Sequence, residues 1–406
     1  MVKRILALFA LTLGGFAIGI TEFATMGVLP DIASNMLPGY EADPQRVIAQ
    51  AGTIISLYAL GVVIGAPVIA ILCVRMSLTS LARWSLVVLG AANLASALMP
   101  SFELVSVFRF ASGLPHGIYL GVAALLSAKT LGPGNMGKGI AISMIGLTTA
   151  NVVGVPFSTM LGQAFGWRWV YGVVAALFAL ALLLVVLFVE KLPGNPERTA
   201  RSEIRALGNY RVWLMIGTLA VGSGGFFAVY SYIADVTTRE VGLGPEIVPW
   251  VTATLGVGMV IGNFLGGVLA DRHLNRAAIF GLVLAVLVFI AYSLFAGAPI
   301  RLFIFAFLVS ASTMMFGPAV QARLIRVANG ADLLGASMNH AASNMANSLG
   351  AWLGGLVIAA GLGYLAPGWV GAVLAALGLV IMLVSIAVER RDKARSLDTG
   401  GVPVVG

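Results

Sequence analysis

Charged residues are scarce in this sequence: they make up 10% of 406 positions, while 59% of the residues are hydrophobic. A soluble globular protein carries about 25% charged residues, so this chain cannot cover a water-facing surface. Cysteine is nearly absent, and the single Cys73 excludes an internal disulfide framework and a thiolate zinc site. The composition also argues against a disordered, collagenous or nucleic-acid-binding protein. It predicts an all-α polytopic membrane protein.

Motifs for catalysis and nucleotide binding are missing as well. No nucleophile elbow, H-E-x-x-H or paired-cysteine motif occurs, and His116, His273 and His340 are scattered along the chain. The stretch 132–138 fits G-x-x-x-x-G-K, but Gly139 follows it in place of Ser or Thr. We therefore expect that the protein is not an enzyme and that it binds no nucleotide, metal or cofactor. If the protein moves a solute across the membrane, the energy would come from a gradient or from downhill flow of the solute, because no nucleotide site is predicted.

Long hydrophobic runs are abundant instead. A bilayer core about 30 Å thick needs about 20 apolar residues per helix, and twelve such runs can be marked between charged or Gly/Pro/Asn-rich breaks. The predicted spans are 5–29, 49–72, 82–99, 104–128, 139–165, 169–189, 212–234, 247–270, 277–297, 302–322, 333–362 and 368–388. The first run is too long for the apolar core of a signal peptide, so we interpret it as a retained helix.

Basic residues predict the orientation of this bundle. With both termini cytoplasmic, nineteen of the 24 lysines and arginines fall on the inner side, four on the outer side, and Arg109 inside a span. This distribution obeys the positive-inside rule. The net charge of +8 therefore indicates membrane topology rather than a nucleic-acid partner.

The chain also repeats itself. Residues 61–65 (GVVIG) recur as 258–262 (GMVIG), and 150–154 (ANVVG) recur as 346–350 (ANSLG), 197 and 196 positions apart. The charged, proline-containing segment 190–211 lies between the copies. We therefore predict an N-terminal six-helix half (1–189), a cytoplasmic linker (190–211), a C-terminal half (212–388) and a cytoplasmic tail (389–406). Such paired halves are typical of alternating-access carriers.

Ionisable residues within the predicted spans indicate function because each costs roughly 2.5–3.5 kcal/mol to insert. Glu22 in the first span can alternate between a protonated and a charged form, as proton coupling requires. Arg109 cannot lose its proton and would act as an electrostatic modulator. His116 either takes part in coupling or makes an interhelical hydrogen bond. A structural hydrogen bond for Glu22 and snorkelling for Arg109 are the alternatives.

Other polar and aromatic side chains are candidates for contact with substrate or for gating. Asparagines within lipid can equally bond a facing helix, and single aromatics can simply pack. The candidate substrate-binding residues are Tyr119, Asn151, Phe226, Tyr230, His340, Asn344 and Asn347. The candidate gating residues are Arg75, Pro156, Asp271, Arg272 and Arg276. Ordinary positive-inside charge is the alternative for the arginines of this gate.

These motifs together resemble the major facilitator superfamily, over essentially the whole chain. The stretch 21–30 is similar to the first-helix signature of the twelve-helix drug:proton antiporter branch, near bacterial chloramphenicol-resistance and sugar-efflux permeases. The stretches 109–117, 150–168 and 262–276 resemble that branch's fourth-helix, antiporter and loop-latch motifs. The first latch copy has Val74 where the repeat has Asp271, and the fifth helix has Val155–Pro156 where the stricter motif has Gly-Pro.

The resemblance implies a proton-coupled exporter of a small, amphipathic drug-like or sugar-like molecule in a bacterial cytoplasmic membrane. Its expected partners are the substrate, protons and membrane lipid, and a monomer suffices for this architecture. An uptake symporter for a sugar or other nutrient is the nearest alternative. A membrane enzyme or receptor that does not transport is the alternative from another class.

Overall fold

The computed structural model describes residues 2–132, 142, 145–192, 208–328 and 332–398, and twelve long helices run through them. We number these helices α1 to α12 in chain order. Their bounds are α1 Val2–Gly27, α2 Thr53–Leu72, α3 Leu78–Leu98, α4 Phe102–Leu131, α5 Ile145–Phe165, α6 Trp167–Phe188, α7 Tyr210–Tyr230, α8 Val248–Arg272, α9 Leu274–Phe295, α10 Pro299–Ala328, α11 Asp332–Ala359 and α12 Pro367–Asp398.

Eleven of these helices are long and apolar enough to cross a membrane, counted within the described ranges. The exception is α11, whose hydropathy is lowered by His340, Asn344 and Asn347. Its 28 residues still reach about 42 Å at 1.5 Å per residue, which exceeds a bilayer core. Each predicted span corresponds to one helix, so the twelve-helix prediction is confirmed. Most of the predicted linker 190–211 lies outside the described residues.

The first two long helices are connected by short helices at one end of the bundle. We call the end that holds Val2 and Asp398 the terminal end and the opposite end the distal end. At the distal end, two short helices, Leu29–Met36 and Pro44–Ala51, connect α1 to α2. Asp43 caps the second of these by accepting a hydrogen bond from the backbone N–H of Arg46 at 3.1 Å.

The two halves of the chain repeat one packing arrangement. In the first half α1 packs on α6, α2 on α4, and α3 on α6. In the second half α7 packs on α12, α8 on α10, and α9 on α12. The halves meet through α2 with α11 and through α5 with α8, and these two contacts are equivalent under the same repeat. The predicted pair of six-helix halves is therefore confirmed.

The repeated glycines bring equivalent helices together. A Cβ atom added at Gly61 would lie 2.2 Å from the Phe110 carbonyl oxygen of α4. A Cβ added at Gly262 in the second half would lie 2.2 Å from the Ala311 carbonyl oxygen of α10. Both helix pairs are therefore in backbone contact, which only glycine permits. Helices in lipid associate by close approach through small residues, because the hydrophobic effect does not drive apolar surfaces together there.

Adding one methyl group to this contact should destabilise the protein. We expect Gly262→Ala to lower the melting temperature of the purified chain, because the Cβ overlaps the Ala311 carbonyl oxygen and overpacking costs about 1–3 kcal/mol. Gly267→Ala is the matched control, since a Cβ there meets nothing within 4 Å on the same helix. The control should be neutral or slightly stabilising because alanine favours the helix. Equal melting temperatures for both variants would contradict this account.

Candidate functional site

A proline break in α4 separates Arg109 from His116. The helical segments are Phe102–Gly113 and His116–Leu131, with Pro115 between them. Proline removes a backbone donor and its ring clashes with the preceding turn, so the helix is interrupted there. Arg109 and His116 thus belong to different segments, although their spacing of seven predicts a shared face of one continuous helix. Both side chains nevertheless reach the same neighbour, Tyr58 of α2.

Arg109 is fully buried and is held by groups from three other helices. Its Nη1 and Nη2 donate to the side-chain oxygen and the carbonyl oxygen of Thr21, at 2.7 and 2.9 Å. The guanidinium lies between two rings, 4.2 Å from the centre of Tyr58 and 5.2 Å from that of Tyr171. No carboxylate is within ion-pair distance of Arg109 in the described part of the chain. The charge is therefore stabilised by hydrogen bonds and aromatic faces.

Glu22 is enclosed by protein and does not face lipid. Its exposure is 5%, and its Oε2 lies 3.9 Å from Nε2 of His116. On the other side of the imidazole ring, Nδ1 is 2.7 Å from the Tyr58 hydroxyl oxygen. The structure therefore joins the three predicted proton-coupling residues, Glu22, Arg109 and His116, around one tyrosine.

The second half contributes polar groups of α11 to the same place. Asn347 lies near the Glu22 carboxyl group but makes no hydrogen bond to it, and the His340 ring centre lies 6.4 Å from that of His116. The amide atoms of Asn347 and the Oδ1 of Asn344 lack hydrogen-bond partners, although both residues are buried. Buried polar groups are rarely left unpaired, so these atoms are available to a solute or to water.

An aromatic cluster crosses the interface beside Glu22. The ring centres of Phe23 on α1 and Tyr230 on α7 are 5.4 Å apart, and Phe226 lies 5.3 Å from Tyr230. The Tyr230 hydroxyl is buried without a hydrogen-bond partner. Two predicted substrate-binding residues, Phe226 and Tyr230, thus meet α1 at Phe23, the residue that follows Glu22 in the chain.

On α5, the predicted residues lie where an irregular turn meets the other half. Residues Ala150–Gly154 form a π-helical turn, and Pro156 begins the regular helix that follows. Single π-turns are frequent at functional sites. Asn151 donates to the Leu147 carbonyl oxygen at 3.0 Å and leaves its own Oδ1 unpaired. A Cβ at Gly256 of α8 would lie 2.3 Å from the Asn151 carbonyl oxygen, so the two halves touch at this turn.

The remaining predicted residues are placed elsewhere. Tyr119 packs inside the first half and donates to the Leu11 carbonyl oxygen at 3.1 Å. Arg75, Arg272 and Arg276 are exposed at the terminal end. The side chain of Asp271 is outside the described residues.

Several functional neighbours escaped the sequence analysis. Tyr58, Tyr171 and Thr21 contact Arg109, but neutral residues within a span carry no signal of their own. Arg323 of α10, which the charge pattern places in an inner loop, forms a 2.9 Å ion pair with Glu389 of α12 at the terminal end.

A second buried carboxyl group lies at the distal end. Asp235 is fully buried, and Arg239 Nε lies 3.4 Å from its Oδ1. Arg239 also donates to the Tyr40 hydroxyl of the other half. Burial raises the pKa of Asp235 to about 7, against the opposing effect of Arg239. The two halves are therefore joined at the distal end through a polar contact.

Two six-helix halves that enclose unpaired polar groups at their interface define a membrane transport protein. The model of the Major Facilitator Superfamily matches residues 11–244 and 214–405. The chain belongs to this family, and it is a multi-pass membrane transporter of small substrates rather than an enzyme.

Relatives cover nearly the whole chain. It is 33% identical to the inner membrane transport protein YdhP of Escherichia coli K12, over 93% of this chain and 95% of that protein. It is 28% identical to a chloramphenicol resistance protein of Streptomyces lividans, over 93% and 94% of the two chains. Among solved structures, a D-xylose–proton symporter superposes with a TM-score of 0.73 at 16% identity, over 93% of this chain and 97% of that one.

The buried Asp235 predicts a pH dependence of stability. The native state favours its protonated form, because the carboxyl titrates near 3.9 when unfolded and at about 7 in the fold. The stabilisation that the protonated Asp235 gives the fold is complete below about pH 4 and is lost as the pH rises through about 7. The melting temperature of the Asp235→Asn variant should therefore decline less steeply over that window, and at about pH 8 it should be higher than that of the parent.

The measurement is thermal unfolding of the purified full chain across this pH range. Glu246→Gln, an exposed acid at the same end, is the control and should keep the parent's slope. An Asp235→Asn variant with an unchanged slope would show that this carboxyl group does not titrate in the window.

Proposed function

We propose that the chain exports a small amphipathic or sugar-like molecule across a bacterial cytoplasmic membrane in exchange for protons. The observation that carries the proposal is the position of Glu22. Its carboxyl group is enclosed at the contact between the two halves, near His116 on one side and Asn347 on the other. A group placed there changes its surroundings whenever the halves rock against each other.

Glu22 is the proton carrier in this proposal. An uncompensated carboxylate in a low-dielectric interior is costly, and protonation removes that cost. The neighbouring Arg109 keeps its charge throughout. When the site opens to the cytoplasm Glu22 releases its proton, substrate binds, and the halves rock. Protons from outside then displace the substrate, driven by about 2.3 kcal/mol per charge per 100 mV.

The substrate would bind beside this carboxyl group. The aromatic faces of Phe226 and Tyr230 suit an apolar or ring-bearing molecule, and the unpaired atoms of Asn344 and Asn347 suit its polar groups. The chloramphenicol resistance relative agrees with an amphipathic solute of this kind. His340 and Asn151 line the same interface, while Tyr119 acts through the packing of α1 on α4.

Orientation and gating are further parts of the proposal. The positive-inside pattern supports a cytoplasmic terminal end. The exposed arginines Arg75, Arg272 and Arg276, together with Asp271, would latch that end closed in one state. The α5 turn at Pro156 would bend as the halves rock.

Export is favoured over uptake by the similarity of residues 150–168 to the antiporter motif of exporters. Proton-coupled uptake remains the alternative, because the same fold serves both directions. A non-transporting enzyme or receptor is disfavoured by the family. Measuring the direction of coupled flux distinguishes export from uptake.

Transport can be measured in liposomes that contain the full chain and a pH-sensitive dye. With chloramphenicol or D-xylose as probe, export by antiport predicts that an acidic lumen drives uptake of the probe and that the lumen becomes alkaline. Uptake driven by external acid instead would support symport. If neither an acidic lumen nor external acid drives uptake of the probe, and the probe leaves the luminal pH unchanged, the chain does not couple these probes to protons.

We expect Glu22→Gln to abolish this coupling, because the amide cannot release a proton. The variant should lose the factor of about fifty in accumulation that one proton supplies at 100 mV. Exchange of labelled for unlabelled probe should persist, since binding and rocking remain. Glu103→Gln, an exposed acid at the start of α4, is the control. A Glu22→Gln variant with full pH-driven accumulation would refute the proposed role of this residue.

A further inference from the structure

Tyr58 contacts both Arg109 and His116 of α4. Its ring lies under the Arg109 guanidinium at 4.2 Å, and its hydroxyl oxygen lies 2.7 Å from Nδ1 of His116. Tyr58 itself is 1% exposed. Its hydroxyl group is therefore part of the polar centre, and its direction of donation is set by the protein.

Two hydrogen-bond arrangements fit the short contact. Either the Tyr58 hydroxyl donates to an unprotonated Nδ1, or Nδ1–H donates to the hydroxyl oxygen. A neutral imidazole carries one proton, so the choice also fixes the other nitrogen. In the first arrangement Nε2–H points toward Glu22. In the second, a bare Nε2 lone pair points toward Glu22 and can accept its proton.

The surroundings of Tyr58 favour the first arrangement. Within the described residues His116 is the one hydrogen-bond partner of the Tyr58 hydroxyl. If that oxygen accepted from Nδ1–H, its own hydrogen would be buried without an acceptor, which is unfavourable because the lost hydrogen bond to water is not replaced. The Arg109 cation over the ring also withdraws electron density from the phenol and strengthens it as a donor.

We propose that Tyr58 is a positioning residue that holds His116 in the Nε2–H tautomer, so that the N–H of His116 faces the Glu22 carboxyl group 3.9 Å away. The imidazole then supports the deprotonated carboxylate and does not itself take the proton. The ionisable groups around the ring are Glu22, Arg109 and, across the interface, His340. The role in coupling rests on the proposed function, whereas the tautomer does not.

A second tyrosine provides a matched control. Tyr171 of α6 also places its ring on Arg109, at 5.2 Å, but its hydroxyl pairs with Thr25 at 3.0 Å. Both Tyr58→Phe and Tyr171→Phe keep an aromatic face on the cation and lose one buried hydroxyl. They differ in whether that hydroxyl reached His116.

The experiment is nitrogen-15 NMR of the histidine-labelled full chain in lipid nanodiscs. The sequence has three histidines, and His116→Gln identifies the signals of His116. Coupling to the ring protons distinguishes a protonated from a bare nitrogen. We expect the parent at alkaline pH to show a protonated Nε2 and a bare, hydrogen-bonded Nδ1. Tyr58→Phe should redistribute the tautomers several-fold, while Tyr171→Phe should leave them unchanged.

Each outcome decides the proposal. A protonated Nδ1 in the parent overturns it, as does a Tyr58→Phe variant with the parent's tautomer. If Tyr58→Phe does not fold, the parent spectrum still gives the answer. A confirmed tautomer combined with a coupling-competent Glu22→Gln would refute the proposed function and leave this inference standing.

Discussion

A permanent positive charge buried among apolar helices is the constraint on which the centre of this protein depends. Arg109 cannot be neutralised, and it has no carboxylate in ion-pair contact within the described residues. Its hydrogen bonds go to Thr21 of α1, and its faces rest on Tyr58 of α2 and Tyr171 of α6. One charge thereby fixes α4 against three neighbours. Because Glu22 follows Thr21 in the chain, the same contacts place the carboxyl group.

Glycine makes this arrangement sterically possible. A Cβ atom at Gly113 would lie 2.1 Å from the Tyr58 carbonyl oxygen, so α2 and α4 touch where Tyr58 reaches both Arg109 and His116. The second half uses its own glycines to join α8 and α10 in the equivalent way. In that half the buried charge of α10, Arg323, lies at the terminal end, where it pairs with Glu389 of α12. The repeated packing is therefore a scaffold, and the polar centre is a feature of the first half.

The second half supplies the other wall of the site. It provides asparagine amides from α11 and aromatic rings from α7, which meet Glu22 and Phe23 across the interface. At this centre Glu22 and Arg109 belong to the first half, while the unpaired atoms of Asn344, Asn347 and Tyr230 belong to the second. In the function we propose, rocking of the halves would separate these two sets of groups and so link proton movement to exposure of a solute.

The sequence by itself determined the twelve helices and the pair of halves, because apolar runs of spanning length and a repeat of nearly 200 residues are visible in one dimension. It also revealed Glu22, Arg109 and His116, since an ionisable group within hydrocarbon is conspicuous. Their meeting around Tyr58 was decided by the tertiary structure, because that contact joins residues 58 positions apart on different helices. The tertiary structure likewise buried Asp235, whose surroundings come from both halves. A neutral tyrosine or an acid near a helix end acquires its role from its neighbours, and only folding assembles those neighbours.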